Sequence, residues 1–188
     1  MNRTQEACTV IRRAGSADLA ALSEFFAGLS VRTRYRRFFA AITPTPAMLR
    51  LLSGRPGHAD AVVAIRGGII IGHAIAVDQD GPEGARMTDI GVVIADAWQG
   101  HGVGSALTPT LITAAQARGV ICVAMDVLHD NRQVLAMIAR HWPDARTGPG
   151  ADFATVHVQL PQARPQLPAA GPGASRLEPE RQLSSARA

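Results

Sequence analysis

The amino-acid sequence predicts a single mixed α/β domain, and three observations carry that reading. Short apolar runs alternate with amphipathic helical stretches between Thr9 and Leu160, without an internal repeat. Two of the runs are joined by a tight glycine turn, so the sheet begins as a meander. At 188 residues the chain suffices for one domain that buries about two-thirds of its unfolded surface without disulfides.

Thr9 to Arg13 reads as the first strand, and Ser16 and Asp18 offer caps for a helix through Phe25 and Phe26. Ser30 opens a second helix. There Val31, Tyr35, Phe38, Phe39 and Ile42 recur at helical spacing and predict one apolar face, with Arg32, Arg36 and Arg37 pointing elsewhere and Pro44 and Pro46 ending the helix. Ala61 to Ile65 and Ile69 to Val77 form a hairpin across Arg66-Gly67-Gly68, where glycine supplies positive φ. After a turn at Asp80-Gly81-Pro82, Ala85 to Ala95 continues the meander, and its unbroken Ile90-Gly-Val-Val-Ile94 centre marks a central strand covered on both faces. A helix from about Gly102 to Arg118 follows, in which Pro109 is expected to cause a bend. Then come a strand from Val120 to Leu128, a helix from Asn131 to Arg140 with Val134, Met137, Ile138 and His141 on one side, and a last strand from Phe153 to Leu160. From Pro161 to Ala188 the composition turns to Pro, Ala, Gly, Gln, Ser and Arg, which buries too little apolar surface to offset ordering entropy and predicts a disordered tail.

Composition excludes several functions. The net charge is +4, every one of the 19 basic residues is arginine, and no basic stripe with interleaved aromatics exists, so nucleic-acid binding is not expected. Absence of lysine also rules out self-acylation on a lysine side chain. The two cysteines, Cys8 and Cys122, imply neither a disulfide framework nor a metal site, and Cys122 lies in the apolar run Val120-Ile-Cys-Val-Ala124. No apolar run reaches the roughly 18 residues of a membrane span, and no secretory leader is evident. The expectation is a soluble, cytoplasmic protein, monomeric or homodimeric.

The segment carrying chemistry is Asp96-Ala-Trp-Gln-Gly-His-Gly-Val-Gly-Ser105, between the central strand and the long helix. Three alternating glycines let the backbone approach a ligand closely. A helix N-terminus adds unpaired N–H groups and the positive end of the helix dipole, a combination that favours a phosphate. Gln99, Gly100, His101, Gly102, Val103, Gly104 and Ser105 are therefore candidate anion contacts, with Trp98 packing the turn. A Walker-type loop would need Gly-Lys-Ser/Thr, and lysine is missing. A dinucleotide fingerprint would need glycine at position 105, where Ser105 stands, and a βαβ start in place of a meander.

The remaining pattern, Gln99-x-x-Gly102-x-Gly104, resembles the coenzyme A signature of the GNAT superfamily of N-acetyltransferases, (Arg/Gln)-x-x-Gly-x-(Gly/Ala). In that family the signature follows the fourth strand and opens the third helix, the order read here, and the resemblance spans roughly Thr9 to Leu160. A second stretch, Leu29-Ser30-x-x-x-Arg34-Tyr35-Arg36-Arg37-Phe38-Phe39, is similar to the Leu-Ser-x-x-Ser-x-Tyr-x-Arg-Phe-Phe helix of bacterial protein-lysine acetyltransferase domains. A third, Thr88-Asp89-Ile90-Gly91-Val92-Val93-Ile94, stands where such enzymes carry Ala-Glu-Phe-Ala-Val-Val-Val. The resemblance implies a mostly antiparallel central sheet of about six to seven strands flanked by helices. It further implies acetyl-CoA as cosubstrate, no metal, and a primary amine as acceptor, either a protein lysine or a small amine. The cosubstrate's amide arm would bond to Val92, Val93 and Ile94, beside a splay of the sheet for which Gly91 is a natural bulge position. Asn131 would contact the same arm; locally it, or Asp130, also suits a helix cap.

Amine acylation needs a proton acceptor, and Asp89, a carboxylate in an otherwise apolar strand, is the candidate base, reaching the amine directly or through water. A solvated or ion-paired aspartate is the competing role. The second-helix arginines likewise form either a solvated face or an electropositive rim. Many GNATs protonate the leaving thiolate with a tyrosine in the following helix, but the only tyrosine here is Tyr35. His129 and His141 are ordinary surface or packing candidates, which leaves solvent to supply that proton. The expected function is an acyl-CoA-dependent N-acetyltransferase. The alternative is a non-catalytic acyl-CoA-binding regulatory module, which the shortened carboxylate and absent tyrosine would suit.

Overall fold

A computed structural model describes residues 8–81, 86–148 and 150–161. Pro82 of the expected turn, Ala85 at the expected start of the central strand, and residues 162–188 of the expected tail lie outside the described residues. The chain forms β1 (Val10–Arg13), a single 3₁₀ turn at Ser16–Asp18, α1 (Leu19–Gly28), α2 (Val31–Phe38), α3 (Pro46–Leu52), β2 (Ala59–Arg66), β3 (Ile69–Asp80) and β4 (Arg86–Ile94). A second 3₁₀ turn, Asp96–Trp98, leads into α4 (Val103–Ala117), followed by β5 (Cys122–Leu128), α5 (Arg132–His141), β6 (Arg146–Gly148) and β7 (Phe153–Gln159).

All seven strands lie in one sheet of order β1-β2-β3-β4-β5-β7-β6. Every neighbouring pair is antiparallel except β4 and β5, which run parallel and pair only from Met87–Cys122 to Asp89–Ala124. Beyond Asp89 these two strands separate, as the expected splay requires. The β2–β3 hairpin turns on Gly67 (φ +58°) and Gly68 (φ +81°), the two left-handed positions that a two-residue turn demands.

The strand alternation divides the core between the two faces. One face packs Val62, Ala74, Ile90 and Val123 against Leu107, Leu111 and Ala115 of α4 and Ile138 of α5. The other packs Val63, Ile75 and Val93 against Leu22, Phe25 and Phe26 of α1 and Leu49 and Leu52 of α3. At Gly72 a Cβ would meet Ile94, Val103 and Leu107 within 2.9–3.1 Å, so the glycine sets how closely α4 approaches. Pro109 does not interrupt α4; the preceding Thr108 hydroxyl donates to Gly104 O at 2.9 Å.

Several expectations need correction. Ser16 does not cap α1; it opens the 3₁₀ turn, where Asp18 accepts from Gly15 N (2.9 Å) and pairs with Arg12 (2.6 Å). α2 ends at Phe38, because Phe39 adopts a left-handed φ of +55°. Its expected apolar face is turned outward, with Val31, Tyr35, Phe39 and Ile42 exposed and only Phe38 packed on the core. Arg34, Arg36 and Arg37 are half-buried while Arg32 stays exposed, and Arg34 donates to the carbonyls of Leu29 (2.5 Å) and Ala27 (3.4 Å) at the end of α1, a C-terminal cap that periodicity does not reveal. Pro46 starts a helix instead of ending one. Thr45 caps α3 by accepting from Met48 N, and proline fits the first turn, where its missing N–H has no helical partner. No bulge occurs at Gly91, since the β3–β4 register is continuous from Gly72–Ile94 to Asp80–Arg86; the irregularity lies at Ala64/Ile65 between β2 and β3. On α5, Ile138 is buried but His141 is exposed, its Nδ1 2.9 Å from Met137 O. β6, three residues long, has no legible periodicity.

Candidate active site

The site is built around the gap between β4 and β5. Ala95 N donates to Ile71 O on β3 (2.9 Å), and Ile121 N donates to Arg86 O (3.1 Å). Hydrogen-bonded pairs alternate along an antiparallel ladder, so Asp89, Gly91 and Val93 spend their backbone groups on β3, while Ile90, Val92 and Ile94 direct theirs toward β5. Since β5 stops pairing at Ala124, the carbonyl of Ile90 and the backbone of Val92 face the gap. Of the three residues expected to bond a cosubstrate arm, Val92 and Ile94 point the right way. Val93 does not: its backbone pairs with His73 and its side chain is buried.

The glycine segment closes one end of the gap. Gly100 (φ +77°) and Gly102 (φ +78°) hold left-handed conformations open to glycine at little cost, and Gly102 is the N-cap of α4. Ala106 N bonds to Gly102 O, so the amides from Gly102 to Ser105 precede the helical ladder and have no backbone acceptor among the described residues. Gly104 sits over Val92 and Ile94, placing this first turn against β4. Val103 faces the core, while Gly100, His101, Gly102 and Ser105 are exposed. The His101 ring donates through Nδ1 to Gln99 O at 2.9 Å. Trp98 packs the turn, with Arg66 stacked over it at 4.9 Å.

The side chain of Gln99 bonds within the protein. Its Nε2 donates to Ile94 O and to Thr33 Oγ1, both at 3.1 Å. Asp96 then accepts from Ser30 N (2.9 Å), Ser30 Oγ (2.7 Å) and Thr33 Oγ1 (2.7 Å). Burial opposes the Asp96 charge, but the Ser30 and Thr33 donors outweigh it and hold the carboxyl below its ordinary value. This network fastens the N-terminus of α2 to the end of β4. Sequence periodicity could not show it, because its members lie more than sixty residues apart.

Beside this junction a polar cavity of about 400 Å³ is lined by Arg32, Arg36, Arg132, Asp130, Asn131 and Gln99 among others. Arg36 approaches Asp130 at 3.6 Å, bridging α2 and the β5–α5 turn. The geometry thus favours an electropositive rim over a purely solvated face for Arg32 and Arg36. Asn131 is the N-cap residue of α5 by position, but neither it nor Asp130 makes a side-chain cap bond, which leaves the Asn131 amide directed at the cavity it lines.

Asp89 lies where β4 and β5 part, half-buried, its Oδ2 accepting from Gln79 Nε2 at 2.7 Å. Burial, and next the neighbouring charge of Asp126, push its carboxyl above the ordinary range against the opposing pull of Gln79, Arg37 and His157. Asp126 itself accepts from Thr155 Oγ1 at 2.6 Å. Asp126, His157 and Gln79 were not anticipated; the one signal for Asp126 was a charge at an alternating position of an otherwise apolar strand. His129 faces Gly150 O at 3.1 Å, and Tyr35 is exposed on the outer side of α2. Among the described residues no group of three or more His, Cys, Asp or Glu is placed to hold a metal ion, and no helix is long and apolar enough to cross a membrane.

Comparison with known proteins agrees with this geometry. Residues 27–141 match the profile of the Acetyltransferase (GNAT) family. Acetyltransferase Pat of Mycolicibacterium smegmatis is 33% identical over 118 residues, which is 60% of this chain and 35% of that protein, so the chain spans about a third of that relative's length. The fold superposes on the GNAT domain of S. lividans PAT with a TM-score of 0.69 at 20% identity, covering 85% of this chain and 100% of that one. It also superposes on yncA of Salmonella typhimurium, solved with its cofactor acetyl-CoA, with a TM-score of 0.62 at 19% identity, covering 88% and 100%. With the family profile spanning more than half of the sequence and the seven-stranded splayed sheet in place, the chain belongs to the GNAT acetyltransferase family.

Proposed function

We infer that the protein transfers an acetyl group from acetyl-CoA to a primary amine, a protein lysine or a small amine, by direct attack of the amine on the thioester. One arrangement carries this reading: a gap between β4 and β5 that opens at the unpaired amides of Gly102 to Ser105 and closes at Asp89. The residues fit the cosubstrate. A pyrophosphate suits the amides at the start of α4, with Gly100 and His101 alongside. An amide arm suits the free backbone of Val92 and the Asn131 side chain. A carboxylate whose pKa is raised by burial and by Asp126 suits a base that takes a proton from an ammonium or amine near neutral pH. Solvent then protonates the departing thiolate, because Tyr35 lies on the far side of α2.

The test is a titration with acetyl-CoA followed by thiol release across a panel of amines and lysine-bearing peptides. Asp89→Asn should cut the transfer rate at least a hundredfold, on the order expected for loss of a general base, with acetyl-CoA affinity unchanged. Saturable binding without thiol release from any acceptor would establish a non-catalytic acyl-CoA-binding module instead, whereas an unaltered transfer rate in Asp89→Asn would remove Asp89 as the base.

A further inference from the structure

α2 carries a second group into the heart of the site. The guanidinium of Arg37 lies directly over Gly91 of β4, where an added Cβ would stand 2.5 Å from Cζ and 2.8 Å from Nη1 and would overlap Nη2. Its Nε is sealed from solvent and has no hydrogen-bond partner. No carboxylate among the described residues forms an ion pair with it, and its one close aromatic neighbour is Phe38, 5.1 Å from Cζ to ring centroid. Asp89 draws on the cation without touching it and offsets only part of its desolvation, and an oxygen brought against the guanidinium regains more of that cost. The cation therefore awaits an acceptor.

The position of Gly91 says which. Residues two apart in a strand share a face, so Gly91 and Asp89 present the same side of β4. On the acetyl-CoA reading above, the acyl arm runs along Val92 toward Asp89, and the Asp89–Ala124 pair blocks further travel. The thioester then comes to rest level with Gly91, under Arg37 and beside Asp89. We propose that Arg37 is a catalytic residue of the transfer, its guanidinium donating to the thioester carbonyl oxygen and holding the negative charge that oxygen acquires when the amine adds.

The step balances without a further reactant. The amine nitrogen forms a bond to the carbonyl carbon, its proton passes to the Asp89 carboxylate, and the C=O π pair moves onto oxygen beside Arg37. The pair then returns, the C–S bond breaks, and the thiolate leaves with the electrons of that bond. Donors fixed in place before charge develops contribute more than mobile ones, because no reorganisation is needed during the reaction. Burial pushes the Arg37 guanidinium down to about 10, so it remains charged at neutral pH. Gly91 has a strand role distinct from flexibility: it makes room for the guanidinium.

The experiment uses [1-¹³C]acetyl-CoA bound to the full chain and reads the carbonyl stretch by isotope-edited infrared difference spectroscopy. In the wild type the stretch should move to lower frequency than in free acetyl-CoA. In Arg37→Met it should return toward the free value while affinity stays within about threefold, and with any amine the wild type acetylates kcat should fall about 10²–10³-fold. Gly91→Ala provides the second variant. Its φ lies outside the left-handed region, so alanine is tolerated by the backbone, yet the methyl group displaces the guanidinium and should restore the free frequency with the arginine still present. An unchanged stretch in both variants overturns the proposal even if transfer occurs. Failure of the wild type to bind acetyl-CoA overturns the functional reading itself, and the role of Arg37 with it.

Discussion

Acid should destabilise this fold through one side chain, His73. The residue has no exposed surface, its Nε2 lies 2.8 Å from Leu52 O, and its Nδ1 has no partner. Leu52 O accepts only, so Nε2 carries the proton and Nδ1 is a bare lone pair. Adding a second proton would place a charge beside Phe26 with no acceptor for Nδ1–H. Burial accordingly lowers the imidazole to about 4; the bond to Leu52 opposes the shift, and the charge of Arg37 adds to it. Because the folded pKa lies below the ordinary value of 6.5, the unfolded chain binds the proton first as pH falls. The contribution is complete above pH 6.5 and is lost progressively down to about pH 4. The slope approaches about 1.4 kcal/mol per pH unit, so roughly 2 kcal/mol is gone by pH 5 and about 3 by pH 4. Urea denaturation of wild type and His73→Gln, followed by tryptophan fluorescence at pH 7.5, 6, 5 and 4.5, measures this directly. Glutamine keeps an N–H donor and does not titrate, and the difference between the two proteins removes the common effect of the carboxylates. A difference that stays constant across this range would refute the buried neutral imidazole.

Other perturbations have equally definite outcomes. Gly102→Ala forces a side chain into φ +78° and should weaken acetyl-CoA binding about ten- to a hundredfold, read by calorimetry, because one charge-assisted amide contact is worth about 1.5–3 kcal/mol. Asp96→Ala removes the acceptor of three hydrogen bonds that hold α2 to β4 and should cost about 1–2 kcal/mol in urea denaturation; an unchanged midpoint would show that the junction is not stabilising. Leu107→Ala, in a fully buried position on α4, should cost about 2–5 kcal/mol by the same measurement. Asp126→Asn deletes a charge that raises the Asp89 carboxyl, so the acid limb of the pH–rate profile should move to lower pH; a shift to higher pH would contradict the assignment of Asp89 as base.

What was legible in the sequence follows from the range of the forces involved. Glycines 67, 68, 100 and 102 announce backbone conformations that few other residues tolerate, so the hairpin and the opening of α4 were readable locally. Asp89 stood out as a charge in an apolar strand. The orientation of α2 was not readable, because its aromatic periodicity outscored its arginines while the neighbours of those arginines, the α1 carbonyls and Gly91, are distant in sequence. Pro46 is ambiguous in sequence for a related reason: proline ends a helix from the inside and starts one at its first turn, and only the Thr45 cap distinguishes the two. The grouping of Asp89 with Asp126 and His157 depends on the order β4-β5-β7, which no single segment encodes.

The parallel contact between β4 and β5 extends over three residue pairs, against nine on the β3 side of β4 and seven on the β7 side of β5. The sheet is therefore two antiparallel plates sewn together by a short seam, with α4 and its core residues as backing. A molecule lying in the gap as a surrogate strand would lengthen that seam and tie the plates to one another. The amide protons that face across the seam, Thr88 on β4 and Cys122 and Ala124 on β5, are then natural reporters: their exchange with solvent should slow on ligation more than that of any hairpin in the sheet, making the seam a gauge of occupancy independent of turnover.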